Sequence, residues 1–120
     1  MGYQEIKKVE KPWGYELIFA HSESYVGKIL HIEKGHQLSL QYHNVKDETI
    51  YLLRGRMTLV IDEGDGLKEL TLEPGKSYRI KPGVKHRMRA DEACDVVEVS
   101  TPHLDDVVRL VDDYGRISSN

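Results

Sequence analysis

The stretch that decides the fold is Leu38-Ser39-Leu40-Gln41-Tyr42-His43, followed after a polar turn by Glu48-Thr49-Ile50-Tyr51-Leu52-Leu53-Arg54-Gly55. Leu38, Leu40 and Tyr42 alternate with Ser39, Gln41 and His43, the period of two of a strand with unlike faces. Gln41 and His43 therefore project from the same face. Thr49 to Leu53 is apolar and β-prone, and Arg54-Gly55 stops it. Outward from this pair the pattern repeats. Lys28 to Glu33 reads as a strand ended by Lys34-Gly35, and Met57 to Ile61 as another before the hairpin turn Asp62-Glu63-Gly64-Asp65-Gly66. Leu67 to Leu72, Ser77 to Ile80, His86 to Arg89 and Asp95 to Val99 follow, divided by Pro74-Gly75 and Pro82-Gly83. About eight short strands between Gly/Pro turns predict an all-β sandwich or barrel. One segment departs from this: Val107, Val108, Leu110 and Val111 recur at helical spacing behind Asp105-Asp106, which predicts a short C-terminal helix ending near Tyr114-Gly115.

The rest of the composition bounds what such a domain does. At 120 residues the chain, 1–120, holds one domain. Leu, Ile, Val and Phe supply 32 residues, enough for one modest core. Lys plus Arg number 17 against 20 Asp plus Glu, a net charge of -3, which argues against a nucleic-acid partner bound by overall charge. The apolar runs are far short of a membrane span. The opening Met1 to Lys8 lacks an apolar signal region, and a single cysteine, Cys94, suits a reducing compartment, so a cytoplasmic location is expected. Cys94 has no basic neighbour and is expected to be inert. In the basic run Arg79, Lys81, Lys85, Arg87 and Arg89, strand alternation turns Arg87 and Arg89 away from the face that carries His86. Of the six histidines, His21, His31, His36 and His103 have no ligand-like spacing.

The remaining two histidines carry the chemistry. Gln41, His43, Glu48 and, much later, His86 are a carboxamide, two imidazoles and a carboxylate, donors suited to a divalent transition metal. Gly35, Gln41, His43, Glu48 and Gly55 are separated by five, one, four and six residues. This resembles the first motif of the cupin superfamily, with Gln41 in place of its first His. Gly75, Gly83 and His86 resemble the second motif, with Pro82 displaced by one position and Ala90 in place of Asn. The motifs run over about 35–55 and 75–90. The resemblance implies a single-domain cupin, a double-stranded β-helix or jelly-roll barrel, with a metal at its mouth held by Gln41, His43, Glu48 and His86.

The flanking sequence narrows the resemblance. Gln-x-His, Lys11-Pro12-Trp13-Gly14, Leu38-Ser39-Leu40-Gln41, Gly83-Val84-Lys85-His86-Arg87 and Asp105-Asp106-Val107-Val108-Arg109 through Tyr114-Gly115-Arg116 are similar to the isomerase domain of type II mannose-6-phosphate isomerases fused to a guanylyltransferase. The nucleotidyltransferase half of those enzymes has no counterpart in this length. Asn44-Val45 after His43, Lys46 and Asp113 depart from the family's usual His-His, Arg and Arg. The resemblance implies a metal-dependent sugar-phosphate isomerase interconverting mannose 6-phosphate and fructose 6-phosphate through an enediol. It also implies a sugar-phosphate partner and a homodimer, with zinc as the first choice of metal and Fe, Mn, Co or Ni admitted by the same donors.

Such a reaction needs an acid or base to carry a proton and a cation to hold phosphate. Arg116 is the first candidate for phosphate or active-site charge. Lys46, two residues before Glu48, is a candidate for proton transfer or phosphate, and Lys28 is a further substrate contact. The plain alternative for either lysine is a solvated surface charge. Two other classes of function stay open: another metal-dependent cupin enzyme, such as a dioxygenase or a different sugar isomerase or epimerase, and a non-catalytic cupin that binds a sugar.

Overall fold

A computed structural model describes residues 2–116. Nine antiparallel strands run in the order β1 (Lys7–Lys11), β2 (Gly14–His21), β3 (Val26–Ile32), β4 (Leu40–Tyr42), β5 (Glu48–Asp62), β6 (Leu67–Leu72), β7 (Ser77–Ile80), β8 (Lys85–Ser100) and β9 (Val108–Val111). Along the sheet they lie β1-β2-β3-β8-β4-β9, with β5 pairing β6, β7 and β8. The two long strands curl the sheet. One half of β8 pairs with β3 and with the start of β5, and the other half pairs with the end of β5 and with β4. Inward positions of β8 alternate as His86, Met88, Ala90, Cys94, Val96 and Glu98. They meet Ile50, Leu52, Met57, Leu59 and Ile61 of β5 in one closed core. The interior is thus apolar at the centre and polar towards one mouth.

Two expected strands on either side of Gly55 are one bulged strand. The register of β5 on β8 shifts between Leu52 and Met57, and Gly55 adopts φ +97° there. A Cβ at Gly55 would overlap the Ala93 carbonyl oxygen of the neighbouring strand. Gly55→Ala is therefore expected to lower stability by about 2–3 kcal/mol, read as a lower urea midpoint at unchanged m-value. The expected strands His86 to Arg89 and Asp95 to Val99 likewise merge into β8. The hairpin of β1 and β2, closed at Lys11↔Gly14, is an addition to the expected set.

The expected C-terminal helix is corrected: Val108–Val111 is strand β9, and Leu40, Gln41 and Tyr42 pair with Val111, Arg109 and Val108. Two causes outweigh the helical spacing. The β-branched valines suit a strand, and the edge of β4 offers ladder partners. Asp106, expected in the first turn of the helix, accepts the backbone N–H groups of Asn44, Val45 and Lys46 at 3.0, 2.7 and 2.8 Å instead. The segment is thereby tied across the mouth of the barrel. Among the described residues no helix is long and apolar enough to cross a membrane.

Candidate metal centre

β4 and the turn after it deliver Gln41 and His43, the start of β5 delivers Glu48, and the start of β8 delivers His86. Ligand atoms of His43, Glu48 and His86 all lie within 4.8 Å of one another, and all three residues are buried. Gln41 faces His86 directly across the ladder, so the two side chains share the inward face. Its Oε1 accepts a hydrogen bond from Ser39 Oγ at 2.6 Å, and it lines the same cavity as His43.

The hydrogen bonds around the imidazoles settle their tautomers. His43 Nδ1 lies 2.6 Å from the Asp106 carbonyl oxygen, and His86 Nδ1 lies 2.9 Å from that of Val84. A carbonyl only accepts, so Nδ1 donates in both rings and each neutral ring turns an Nε2 lone pair inward. His86 Nε2 is buried with no hydrogen-bond partner, 3.4 Å from Glu48 Oε1. His43 Nε2 is 2.7 Å from the same oxygen. Two acceptors approach so closely only with a cation between them, a shared proton or a metal ion. The donor set fits a divalent metal, and the carbonyls behind each ring are the orienting contacts that metal-bound histidines use. Burial raises the Glu48 pKa, but the His43 hydrogen bond, the His86 imidazole beside the carboxylate and the charge of Lys46 outweigh it. The carboxyl is held well below the usual carboxylate range, as a ligand requires.

Above this cluster opens a cavity walled by Trp13, Leu30, Leu38 and Met88 and rimmed by charge. Lys28 and Lys46 are buried in it rather than solvated on the surface. Lys28 Nζ bonds Glu16 Oε1 at 3.2 Å, and Lys46 Nζ bonds Glu98 Oε2 at 3.0 Å. Burial lowers the Lys46 pKa, but Glu98 and Glu48 more than restore it, so the ammonium stays charged. Glu98 is pushed up to about 7, chiefly by burial and then by the Glu48 charge, against the pull of Lys46. Arg116 reaches the cavity from the C-terminal segment, its guanidinium held by both oxygens of Asp112 at 2.8 and 2.9 Å. All seven residues singled out from the sequence line this cavity or belong to the His43–Glu48–His86 cluster beneath it.

Glu16, Glu98, Asp106, Lys11 and Arg109 also belong to this mouth and were not named as site residues, although Lys11, Asp106 and Arg109 stand in the motifs quoted above. Glu98 left a different signal. Glu98 stands at the inward parity of Val96 and Ser100, and a charge at a core-facing strand position marks either a partner or a site. The four other histidines lie outside the cluster: His21 is exposed, His31 bonds Asp95 and stacks on Tyr15, His36 bonds the Tyr114 hydroxyl, and His103 bonds Thr101. Cys94 is fully buried and bonded to the Arg56 and Glu92 carbonyls, and burial pushes its thiol up to about 11, which keeps it inert. Arg87 and Arg89 point outward, to Asp113 and to Glu69 and Asp91.

A family model described as a cupin domain matches residues 28–100. The xanthan biosynthesis protein XanB of Xanthomonas campestris pv. campestris (strain B100) is 30% identical over 115 residues, 92% of this chain and 24% of that protein. The chain thus spans about a quarter of the length of the curated relatives it matches. Among solved structures, oxalate decarboxylase from Bacillus subtilis superposes with a TM-score of 0.77 at 17% identity, covering 88% of this chain and 30% of that one. KdgF from a Halomonas species gives 0.71 at 20% identity over 82% and 88%. An RmlC-like cupin from Shewanella frigidimarina gives 0.74 at 13% over 85% and 91%. At these identities the structural likeness establishes the fold.

Proposed function

We propose, from the premise that this chain belongs to the cupin family, that it is a metal-dependent sugar-phosphate isomerase acting between mannose 6-phosphate and fructose 6-phosphate. The observation that carries this reading is the buried His43–Glu48–His86 cluster opening into a cavity rimmed by Lys11, Lys28, Lys46, Arg109 and Arg116. The curated relatives, named for xanthan biosynthesis, agree with a carbohydrate substrate.

Gln41, His43, Glu48 and His86 would hold the metal. When bound, a divalent ion in this site, zinc first and otherwise Fe, Mn, Co or Ni, supplies polarisation of the substrate oxygens and neutralises the charge that develops on the enediolate. The chain's own residues do the rest. Lys46, held protonated beside the cluster, donates a hydrogen bond to the developing oxyanion and so stabilises its charge. Lys28, fixed by Glu16, hydrogen-bonds substrate hydroxyls, and Arg116 meets the phosphate with a planar fork that engages two oxygens at once. Trp13, Leu30, Leu38 and Met88 exclude water from the reacting carbons.

The test combines elemental analysis of the purified protein with assays on sugar phosphates. Conversion of mannose 6-phosphate to fructose 6-phosphate is expected, lost on chelation and restored by the metal found. Oxygen consumption with Fe(II) and no isomerisation would replace this reading with a dioxygenase. A melting temperature raised by sugar phosphate without turnover would replace it with a binding cupin.

A further inference from the structure

Three of the five cations at the barrel mouth are matched by acids. Lys28 pairs with Glu16, Lys46 with Glu98 and Arg116 with Asp112. Lys11 and Arg109 form no salt bridge among the described residues, and the Arg109 Nε is buried without a hydrogen-bond partner. A buried guanidinium donor with no acceptor costs roughly 1–3 kcal/mol, a cost that a bound ligand removes. The two cations also crowd each other and Arg116. Burial, together with the charges of Lys28, Arg109 and Arg116, lowers the Lys11 pKa against the pull of Glu16, and burial and Arg116 lower that of Arg109. An anion placed among them relieves both penalties.

The strands explain how these residues meet. Lys11 ends β1 at the tight turn into β2, where it pairs with Gly14. Arg109 lies on β9, opposite Gln41 of β4. Arg116 follows from the same C-terminal segment and is fixed by Asp112. The opposite ends of the sheet thus converge on one cavity when the barrel closes. Lys11 and Arg109 are the two cations of this cavity without a salt bridge among the described residues. A phosphomonoester, with close to two negative charges at neutral pH, can meet both at once. The Arg109 guanidinium fork also suits phosphate oxygens bound in pairs.

We propose that Lys11, Arg109 and Arg116 form a phosphomonoester-binding subsite built across the barrel mouth from β1 and β9, separate from the metal ligands. The subsite deepens the isomerase reading and rests on it for the sugar that carries the phosphate, but its binding test needs no turnover. Binding of inorganic phosphate, mannose 6-phosphate and mannose is measured calorimetrically at constant ionic strength. The full-length chain is used metal-loaded and after chelation, as wild type, Arg109→Gln and Lys11→Gln. Phosphate is expected to bind the chelated protein, and each substitution to weaken both phosphate and mannose 6-phosphate about 10- to 100-fold without changing affinity for mannose. Arg109→Lys, which keeps the charge and loses the fork, is expected to recover part of the loss. If Arg109→Gln fails to fold, Lys11→Gln gives the same reading. Loss of phosphate binding on chelation would assign the anion to the metal and overturn the subsite, as would equal phosphate affinity in the wild type and both variants. Absence of isomerase turnover with these affinities as expected would remove the isomerase reading and leave the subsite standing.

Discussion

His86→Ala is expected to release the metal, with affinity falling by more than about 100-fold and isomerase activity falling to background. The magnitude follows from the site's construction. Removal of a contact that merely orients a ligand already lowers metal affinity about 10- to 100-fold, and His86 offers the ligating atom itself. Its Nε2 is buried and unpartnered while Nδ1 is held by the Val84 carbonyl, so Nε2 is the atom turned towards a ligand. Elemental analysis of the variant checks the loss directly, without reference to any substrate. A thermal melt separates the loss of metal from loss of fold: chelation is expected to lower the melting temperature of the wild type and to leave that of His86→Ala unchanged. His43→Ala is expected to behave in the same way, and full metal occupancy in both variants would rule the cluster out as the metal centre.

Lys46→Met is expected to destabilise the metal-free protein by about 3–5 kcal/mol at neutral pH. The ammonium is the shared counter-charge of two buried carboxylates, Glu98 at 3.0 Å and Glu48 beyond it. Methionine fills the volume but leaves both acids facing each other. The sign of the pH dependence follows from Glu98, whose carboxyl in the fold sits up at about 7, above its ordinary 4.5. In that window the native state binds more protons than the unfolded chain, so this group's contribution to stability falls as pH rises from about 4.5 to 7. Without Lys46 the Glu98 pKa rises further, so the loss of stability continues to higher pH. Urea melts of the chelated wild type and variant at pH 5 and pH 8 check this. A larger deficit is expected at pH 8, and an equal deficit at both would show that Lys46 acts through packing alone. On the proposed isomerase reading the same substitution is expected to abolish turnover of the metal-loaded protein, because the cation that would meet the developing oxyanion is gone.

How far the site could be read in advance depended on spacing. Gln41, His43 and Glu48 are neighbours in sequence, and alternation along one strand with a short turn nearly places them. His86 joined them through its motif, and the structure sets it opposite Gln41 on the adjacent strand. Glu16 and Glu98 could not be found by spacing, because their partners Lys28 and Lys46 are 12 and 52 residues away. The C-terminal segment shows the limit most clearly. Val107 to Val111 satisfies a helical period and, being β-branched, a strand as well. Only the open edge of β4 and the backbone N–H groups that Asp106 caps decide between the two.

What the sequence determined by itself was local: alternation, Gly/Pro turns, and a donor set whose spacing within one strand and turn already suits a metal. These follow from backbone geometry over a few residues, which a short segment fixes on its own. Closure of the barrel decided everything that depends on distant segments meeting. It buried Lys28 and Lys46 against carboxylates, made a strand of the C-terminal segment, and brought Lys11 and Arg109 into one cavity with neither in a salt bridge among the described residues. Burial in a low dielectric then gave those encounters their energy, because a charge that water would screen becomes costly unless it is paired or waiting for a ligand.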